Sequence, residues 1–226
     1  MIRVQDLSKQ YGKNVALNNI SATFLPGNVY GIVGVNGAGK STLFRCIAGL
    51  ELFKGTISSD KEPLKNHLGL LMPEPYFFSR ITGKEYINLL CSARNIHIDD
   101  IEGRNVFDLP LAHDVTTYST GMKKKLAIIA ILLQQNEYYI LDEPFNGLDI
   151  QSAILLTEII LKLKQAGKIV LVSSHIFATL NSICDIIFTM EDGSFTNVVE
   201  KCNFQTLEDE MKRQVIGNKL DKLGIF

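Results

Sequence analysis

An α/β fold with a mostly parallel sheet is predicted by three observations. Val29 to Val33 is a short apolar run of strand formers that ends at Gly34, where the pattern Gly-x-x-x-x-Gly-Lys-Ser begins, and an amphipathic helix follows with Leu43, Ile47 and Leu50 on its inner face. Glu137 to Pro144 holds a second apolar strand tipped by Asp142 and Glu143, and Gly147-Leu148-Asp149 then turns into the amphipathic stretch Ser152 to Gln165. Past a helix stop at Gly167, Ile169 to Ser173 is a third buried strand that delivers His175 at its end. Carboxyl ends of parallel strands are where α/β folds bind ligands, so this histidine reads as a site residue.

The glycine loop points to a polyphosphate. Successive backbone N–H groups can wrap one only if the chain approaches closely, which Gly34, Gly37 and Gly39 permit. The helix entered at Ser41 turns its positive end toward the anion. Lys40 can reach the β and γ phosphates, and the Ser41 hydroxyl is placed to coordinate Mg²⁺. Neighbouring strand residues point opposite ways, so Asp142 and Glu143 hold different roles: the first suits the Mg²⁺ shell, the second polarises a water for attack on the γ phosphate.

Composition narrows the class. The chain has 226 residues, 46% of them hydrophobic, which suffices for one domain or a domain with an inserted subdomain. A formal charge of -1 supplies no global field toward nucleic acid or anionic lipid. No apolar run approaches the roughly 18 residues of a bilayer span, and Met1 to Asp6 lacks the apolar core of a signal peptide, so a cytosolic location is expected. Cys46, Cys91, Cys184 and Cys202 form no C-x-x-C pair and are expected as free, mostly buried thiols; His67, His97 and His113 lack metal spacing and suit the surface.

The remaining elements follow in order. Ile2 to Leu7 and Ala16 to Phe24 read as strands around a turn at Lys9 to Lys13, where Tyr11 is an aromatic able either to stack on a nucleobase or simply to pack. Gly49 closes the first helix, Gly55 to Ser59 suits a strand, and Leu68 to Met72 is a buried strand stopped by Pro73-Glu74-Pro75. Tyr76, Phe77 and Phe78 either fill a subdomain core or offer a groove to a short helix. Thr82 to Glu85 forms a capping box ahead of an apolar stripe through Tyr86, Leu89, Leu90 and Ala93, and Asp99 to Asp114 reads as an acidic surface segment. Ser119 and Gly121 stand at the entrance of a helical run from Lys123 to Gln135, as an anion nest or as a plain cap. Lys123, Lys124 and Lys125 lie in its first turn, against the helix dipole, so they await a phosphate or form a solvated face. Asp192-Gly193 marks a hairpin between Ile186 to Met190 and Ser194 to Val199, and Phe204 to Leu223 fits an amphipathic tail through Leu207, Met211, Val215 and Leu220.

Taken together these motifs resemble the nucleotide-binding subunit of ATP-binding-cassette (ABC) transporters, from Tyr11 to the Asp192-Gly193 hairpin. The resemblance implies an ABC ATPase fold over residues 1–226: a P-loop core, an N-terminal antiparallel β subdomain, an inserted helical subdomain at about 76–135 and a helical tail at about 200–226. It makes Gly34, Val35, Asn36, Gly37, Ala38, Gly39, Lys40, Ser41 and Thr42 the Walker A loop for ATP, with Tyr11 stacking on adenine. Asp142 becomes the Walker B ligand of Mg²⁺, Glu143 the catalytic glutamate, Asp149 the D-loop residue and His175 the switch histidine that senses the γ phosphate. By the same resemblance Ser119, Thr120, Gly121 and Met122 are the signature that meets the ATP of a second cassette, in a homodimer or a pair with a related chain. A separately encoded membrane permease is implied, which would hold the chain at the inner face of the membrane; no nucleic-acid partner is expected.

Two departures stand out. The signature reads Tyr118-Ser119-Thr120-Gly121-Met122 rather than Leu-Ser-Gly-Gly-Gln, a form similar to that of export-type ATPases, and Glu74 occupies the position of the Q-loop glutamine, near Mg²⁺ or water. Lys40 and Ser119 lie 79 positions apart, which suits a compact helical subdomain. The competing classes are a soluble cassette acting on ribosomes or DNA, which calls for tandem cassettes or a coiled-coil insertion, and a GTPase, suggested by Asn218-Lys219-Leu220-Asp221. A non-hydrolysing module is opposed by Glu143 and His175.

Overall fold

The computed structural model describes residues 1–216. In chain order the elements are β1 (Ile2–Tyr11), β2 (Asn14–Phe24), β3 (Asn28–Val33), α1 (Lys40–Ile47), β4 (Lys54–Ser59), β5 (Leu68–Leu71), α2 (Gly83–Ser92), α3 (Thr120–Leu133), β6 (Tyr138–Asp142), α4 (Ile150–Gln165), β7 (Ile169–Ser173), α5 (Phe177–Ile183), β8 (Ile186–Glu191), β9 (Ser194–Glu200) and α6 (Phe204–Ile216).

Two sheets carry the strands. An antiparallel sheet has the order β2-β1-β4, and a six-stranded sheet has the order β5-β6-β7-β3-β8-β9, parallel throughout except for the β8-β9 hairpin. In register Ile32 lies beside Ser173 and Ser173 beside Asp142, so the loop after β3 opens level with the ends of β6 and β7. Between the sheets, α1 buries Leu43, Phe44, Cys46 and Ile47, and Phe24 meets Tyr30 edge-on at 5.0 Å. The other face of the large sheet is covered by α3, α4 and α5, whose Leu126, Ile129, Leu156, Ile160 and Leu180 are buried.

Several expectations are corrected by tertiary context. The first turn is confined to Gly12 and Lys13: β1 continues through Lys9, Gln10 and Tyr11, which pair with Leu17, Val15 and Asn14 across register shifts that absorb the irregular alternation. Leu50 is 60% exposed because α1 stops at Ile47 and Gly49 takes φ 72°, turning the chain off the buried face. The capping box is present, with the Thr82 N–H donating to Glu85 at 2.8 Å and the Glu85 N–H to the Thr82 hydroxyl at 3.2 Å, but α2 buries Tyr86, Ile87 and Cys91 and leaves Leu89 and Ala93 exposed.

The segment from Asp99 to Asp114 is no surface strap. Ile101, Phe107, Leu109 and Leu111 join Ile98, Val115 and Tyr118 in the core beneath α2 and α3, with the acidic residues interleaved outward. Asn105 ties it locally, exchanging hydrogen bonds with the Leu109 backbone at 2.8 and 3.0 Å, and the Tyr118 hydroxyl donates to the Pro110 carbonyl at 2.7 Å. Helix α3 starts at Thr120, three positions before the expected run. Phe204 and Leu207 of α6 are buried beside Phe177, whereas the Val215 side chain, Leu220 and the Asn218 to Asp221 stretch lie outside the described residues. Cys46, Cys91 and Cys184 are buried free thiols and Cys202 is exposed; His97 and His113 are on the surface, and His67 is half-buried.

Candidate functional site

The β3-α1 loop is shaped by packing as much as by ligand access. A Cβ on Gly34 would sit 2.2 Å from the Met190 carbonyl oxygen, and one on Gly39 would sit 2.6 Å from that of Ala16, so both glycines let the loop lie against β8 and β2. Gly37 has open space around it and φ +87°, so its backbone conformation alone calls for glycine. Helix α1 begins at Lys40 on a left-handed Gly39 without a side-chain cap, which leaves first-turn N–H groups for an anion. The Lys40 ammonium is folded onto the loop, donating to the carbonyls of Gly34 at 2.7 Å and Val35 at 3.1 Å.

In front of the loop a cleft of about 550 Å³ brings together Tyr11, Asn36, Gly37, Gly39, Lys40, Ser41 and Thr42 with Asp142 and Glu143. Ala38 is buried, and Gly34 and Val35 face a separate cavity of about 450 Å³ that they share with His175 and Met211. The Tyr11 ring is half exposed, with the Lys9 ammonium 4.6 Å from its centre; Glu51 fixes that lysine at 2.9 Å and also holds Arg45 at 3.3 Å. Partial desolvation and the hydrogen bond to Glu51 push the Tyr11 hydroxyl pKa up, keeping it neutral.

Asp142 and Glu143 are organised by a residue that the sequence reading passed over. The Ser173 hydroxyl donates to Asp142 Oδ1 at 2.5 Å and accepts the Glu143 N–H at 2.9 Å, so one side chain of β7 holds both carboxylate residues. Its signal was the pairing of β6 with β7, which only the fold supplies. Asp142 is 1% exposed, and its Oδ2 is buried without a hydrogen-bond partner, a costly state for a carboxylate oxygen. A carboxylate and the Ser41 hydroxyl on one cleft are the hard oxygen donors that Mg²⁺ takes, the rest of its shell coming from phosphate and water, so these residues fit the ion. Glu143 sits in the left-handed region at φ 49° and accepts a hydrogen bond at Oε2 from His175 Nδ1 at 3.0 Å.

The other expected residues stand outside the cleft. Ser119 caps α3, its hydroxyl accepting the Met122 N–H at 3.2 Å; Ser119 and Thr120 are exposed, Gly121 and Met122 half-buried. A Cβ on Gly121 would lie 2.5 Å from the Gly147 carbonyl oxygen, so the start of α3 rests on the loop after β6. Asp149 caps α4 through the Ser152 N–H at 2.9 Å and pairs with Lys125 at 2.5 Å, which holds its carboxyl far below the usual range. The three lysines are therefore neither a solvated face nor all free for phosphate: Lys125 is paired, and Lys124 is turned inward onto the Glu143 carbonyl at 2.9 Å. Pro73 reaches the cleft, while Glu74 is exposed on the β5-α2 loop and does not line it.

Fold and site define a P-loop α/β protein that binds a nucleoside triphosphate at the carboxyl ends of β3 and β6. A family model described as ABC transporter matches residues 17–146, and the chain belongs to that family. Like the ABC cassettes it resembles, it is an ATP hydrolase. Among its relatives, the lantibiotic transport ATP-binding protein SrtF of Streptococcus pyogenes is 29% identical, covering 97% of this chain and 99% of its own. The ABC-type transporter ATP-binding protein EcsA of Bacillus subtilis is 32% identical over 85% of this chain and 84% of its own. A solved ATP-binding subunit of an ABC transporter superposes with a TM-score of 0.79 at 27% identity, covering all of this chain and 98% of that one.

Proposed function

We propose that the whole chain works as one cassette that hydrolyses Mg-ATP to drive a separately encoded membrane permease, in the export direction. The observation that carries the hydrolytic reading is the hydrogen-bonded set of Asp142, Ser173, Glu143 and His175, of which Asp142 and Glu143 line the cleft. The direction rests on the Tyr118-Ser119-Thr120-Gly121-Met122 signature alone, and the name of SrtF, a lantibiotic transport ATP-binding protein, supports the transport role. Among the described residues no helix is long and apolar enough to cross a membrane, so the span is assigned to the permease.

Tyr11 stacks on the adenine, and the amides from Gly37 to Thr42 wrap the phosphates. Lys40 exchanges its two loop carbonyls for β- and γ-phosphate oxygens, which are better acceptors for an ammonium. Ser41 and Asp142 Oδ2 would hold Mg²⁺, which would supply charge neutralisation to the phosphates. Glu143 takes a proton from the attacking water, and His175 fixes the attitude of its carboxylate and reads the γ phosphate beside it. In this reading Ser119 to Met122, with residues 76–135 as a helical subdomain, meet the ATP of a second cassette, and Asp149 lies at the same seam; residues 200–226 form the tail.

Steady-state hydrolysis and nucleotide titration test the assignment. Lys40→Ala is expected to lose ATP affinity, and Glu143→Gln to keep binding while turnover falls by about a hundredfold or more, the scale of a lost general base. Wild-type turnover in Glu143→Gln refutes the role of Glu143.

A further inference from the structure

Lys124 is a buried cation in an unfavourable place. It is 3% exposed and is the fifth residue of α3, just past its first turn, where burial acts against a positive charge. Burial lowers its pKa, against the opposing pull of Glu143, Asp142 and Glu74. Its ammonium donates not to a carboxylate but to the backbone carbonyl of Glu143, at 2.9 Å.

That carbonyl belongs to a strained residue. Glu143 is left-handed at φ 49°, a conformation that is strained for a non-glycine residue and persists only where its surroundings hold it. Its N–H is held from β7 by Ser173 at 2.9 Å, and its C=O is held from α3 by Lys124, so both ends of the residue are pinned by side chains of other elements. The pin on the α3 side lies within a turn of Gly121, whose close approach to Gly147 makes the start of α3 and the loop after β6 one packed unit.

We propose that Lys124 is a positioning residue: it ties the signature end of α3 to the backbone of Glu143, so that docking of Ser119 to Gly121 sets the attitude of this chain's own carboxylate. The inference rests on the roles proposed above for Glu143 and the signature. A shift of α3 moves the Glu143 carbonyl while Ser173 holds its N–H, so the backbone dihedrals of Glu143 change and its side chain turns with them.

The test measures hydrolysis by the full chain, in steady state and single turnover, for Lys124→Met, Lys124→Arg, Glu143→Gln and the double variant Lys124→Met/Glu143→Gln. Lys124→Met is expected to lower kcat about tenfold with KM for ATP within about twofold, and to move the thermal midpoint little, because the hydrogen bond lost at the Glu143 carbonyl is offset by the removal of a buried charge. Lys124→Arg, which keeps a donor, is expected to restore kcat to within about threefold of wild type. The double variant is expected to be no slower than Glu143→Gln, since Lys124 acts only through Glu143. Wild-type kcat in Lys124→Met, or a further tenfold loss in the double variant, overturns the proposal. Should Lys124→Met fail to fold, Lys124→Arg decides alone: near-wild-type kcat supports the role, and a folded Arg variant as slow as Glu143→Gln overturns it. Glu143→Gln by itself tests the underlying catalytic role, so the two failures are distinguishable.

Discussion

Asp149 shows how one side chain serves two elements at once. It caps α4 through Ser152 and pairs with Lys125 of α3, and the lysine, together with the capping hydrogen bonds, holds its carboxyl below the usual aspartate range. A carboxylate whose folded pKa is depressed contributes stability above its unfolded value of about 3.9, and the contribution is lost as pH falls through the folded value. Asp149→Asn keeps a cap acceptor and removes the charge. Its urea midpoint is expected to lie below that of wild type at pH 7, with the gap narrowing as pH falls below about 4. The pair is at the surface, so the gap is also expected to shrink in 1 M salt. An unchanged gap at pH 3 counts against the charge as its origin. Ser173 and Lys124 make the same point from the other side: each is a buried polar side chain that hydrogen-bonds to Asp142 or Glu143 from another element.

At the scale of elements, the stretch between β5 and α2 separates three neighbouring rings. Phe77 turns inward and packs against Tyr86 with centroids 4.6 Å apart, while Tyr76 and Phe78 are 76% and 49% exposed and meet each other edge-on at 5.5 Å. The cluster is thus divided by residue: Phe77 packs into the core, and Tyr76 and Phe78 stay at the surface, where the proposed permease would dock. Tyr76 also borders a groove with Leu70, Tyr86, Leu90 and Ile131, whose apolar walls suit a short helix. Phe77→Ala is expected to destabilise the fold by about 3 kcal/mol in urea unfolding. Tyr76→Ala with Phe78→Asp is expected to leave unfolding within about 0.5 kcal/mol of wild type and to abolish co-purification with the permease. Full recovery of the permease with that double variant argues against this docking face.

For the whole molecule, the expected consequence is a head-to-tail dimer with two ATP molecules between the chains. Ser119 to Met122 do not line the cleft of their own chain, and Ser119 and Thr120 are exposed at the positive end of a 14-residue helix. A two-fold arrangement would bring each signature to the γ phosphate of the other chain and make both seams depend on it. Glu143→Gln saturated with Mg-ATP is expected to run as a dimer by size-exclusion with light scattering and as a monomer in ADP; adding Ser119→Arg is expected to restore the monomer. A Glu143→Gln protein that stays monomeric in Mg-ATP well above micromolar concentration, with or without the permease, removes the trans role of the signature.

The sequence by itself determined the family, the glycine loop and the two adjacent carboxylates at the end of β6. These are local matters: a loop that wraps phosphate needs its glycines and lysine at fixed spacing, and an apolar run marks its own strand. The separate directions of Asp142 and Glu143 come instead from the left-handed turn at Glu143, φ 49°, just past the last residue of β6, and not from alternation along the strand. What surrounds them was decided only in three dimensions. Gly34 and Gly39 are required by close packing on Met190 and Ala16, Ser173 reaches Asp142 because β7 lies in register beside β6, and Lys124, expected either to await a phosphate or to lie on a solvated face, turns instead to the Glu143 carbonyl. The segment Asp99 to Asp114 likewise reads as surface by its charges and becomes core because α2 and α3 offer its apolar residues a place to bury. Each of these depends on partners distant in the chain, and a backbone or side-chain polar group finds its hydrogen bond according to what the fold sets beside it.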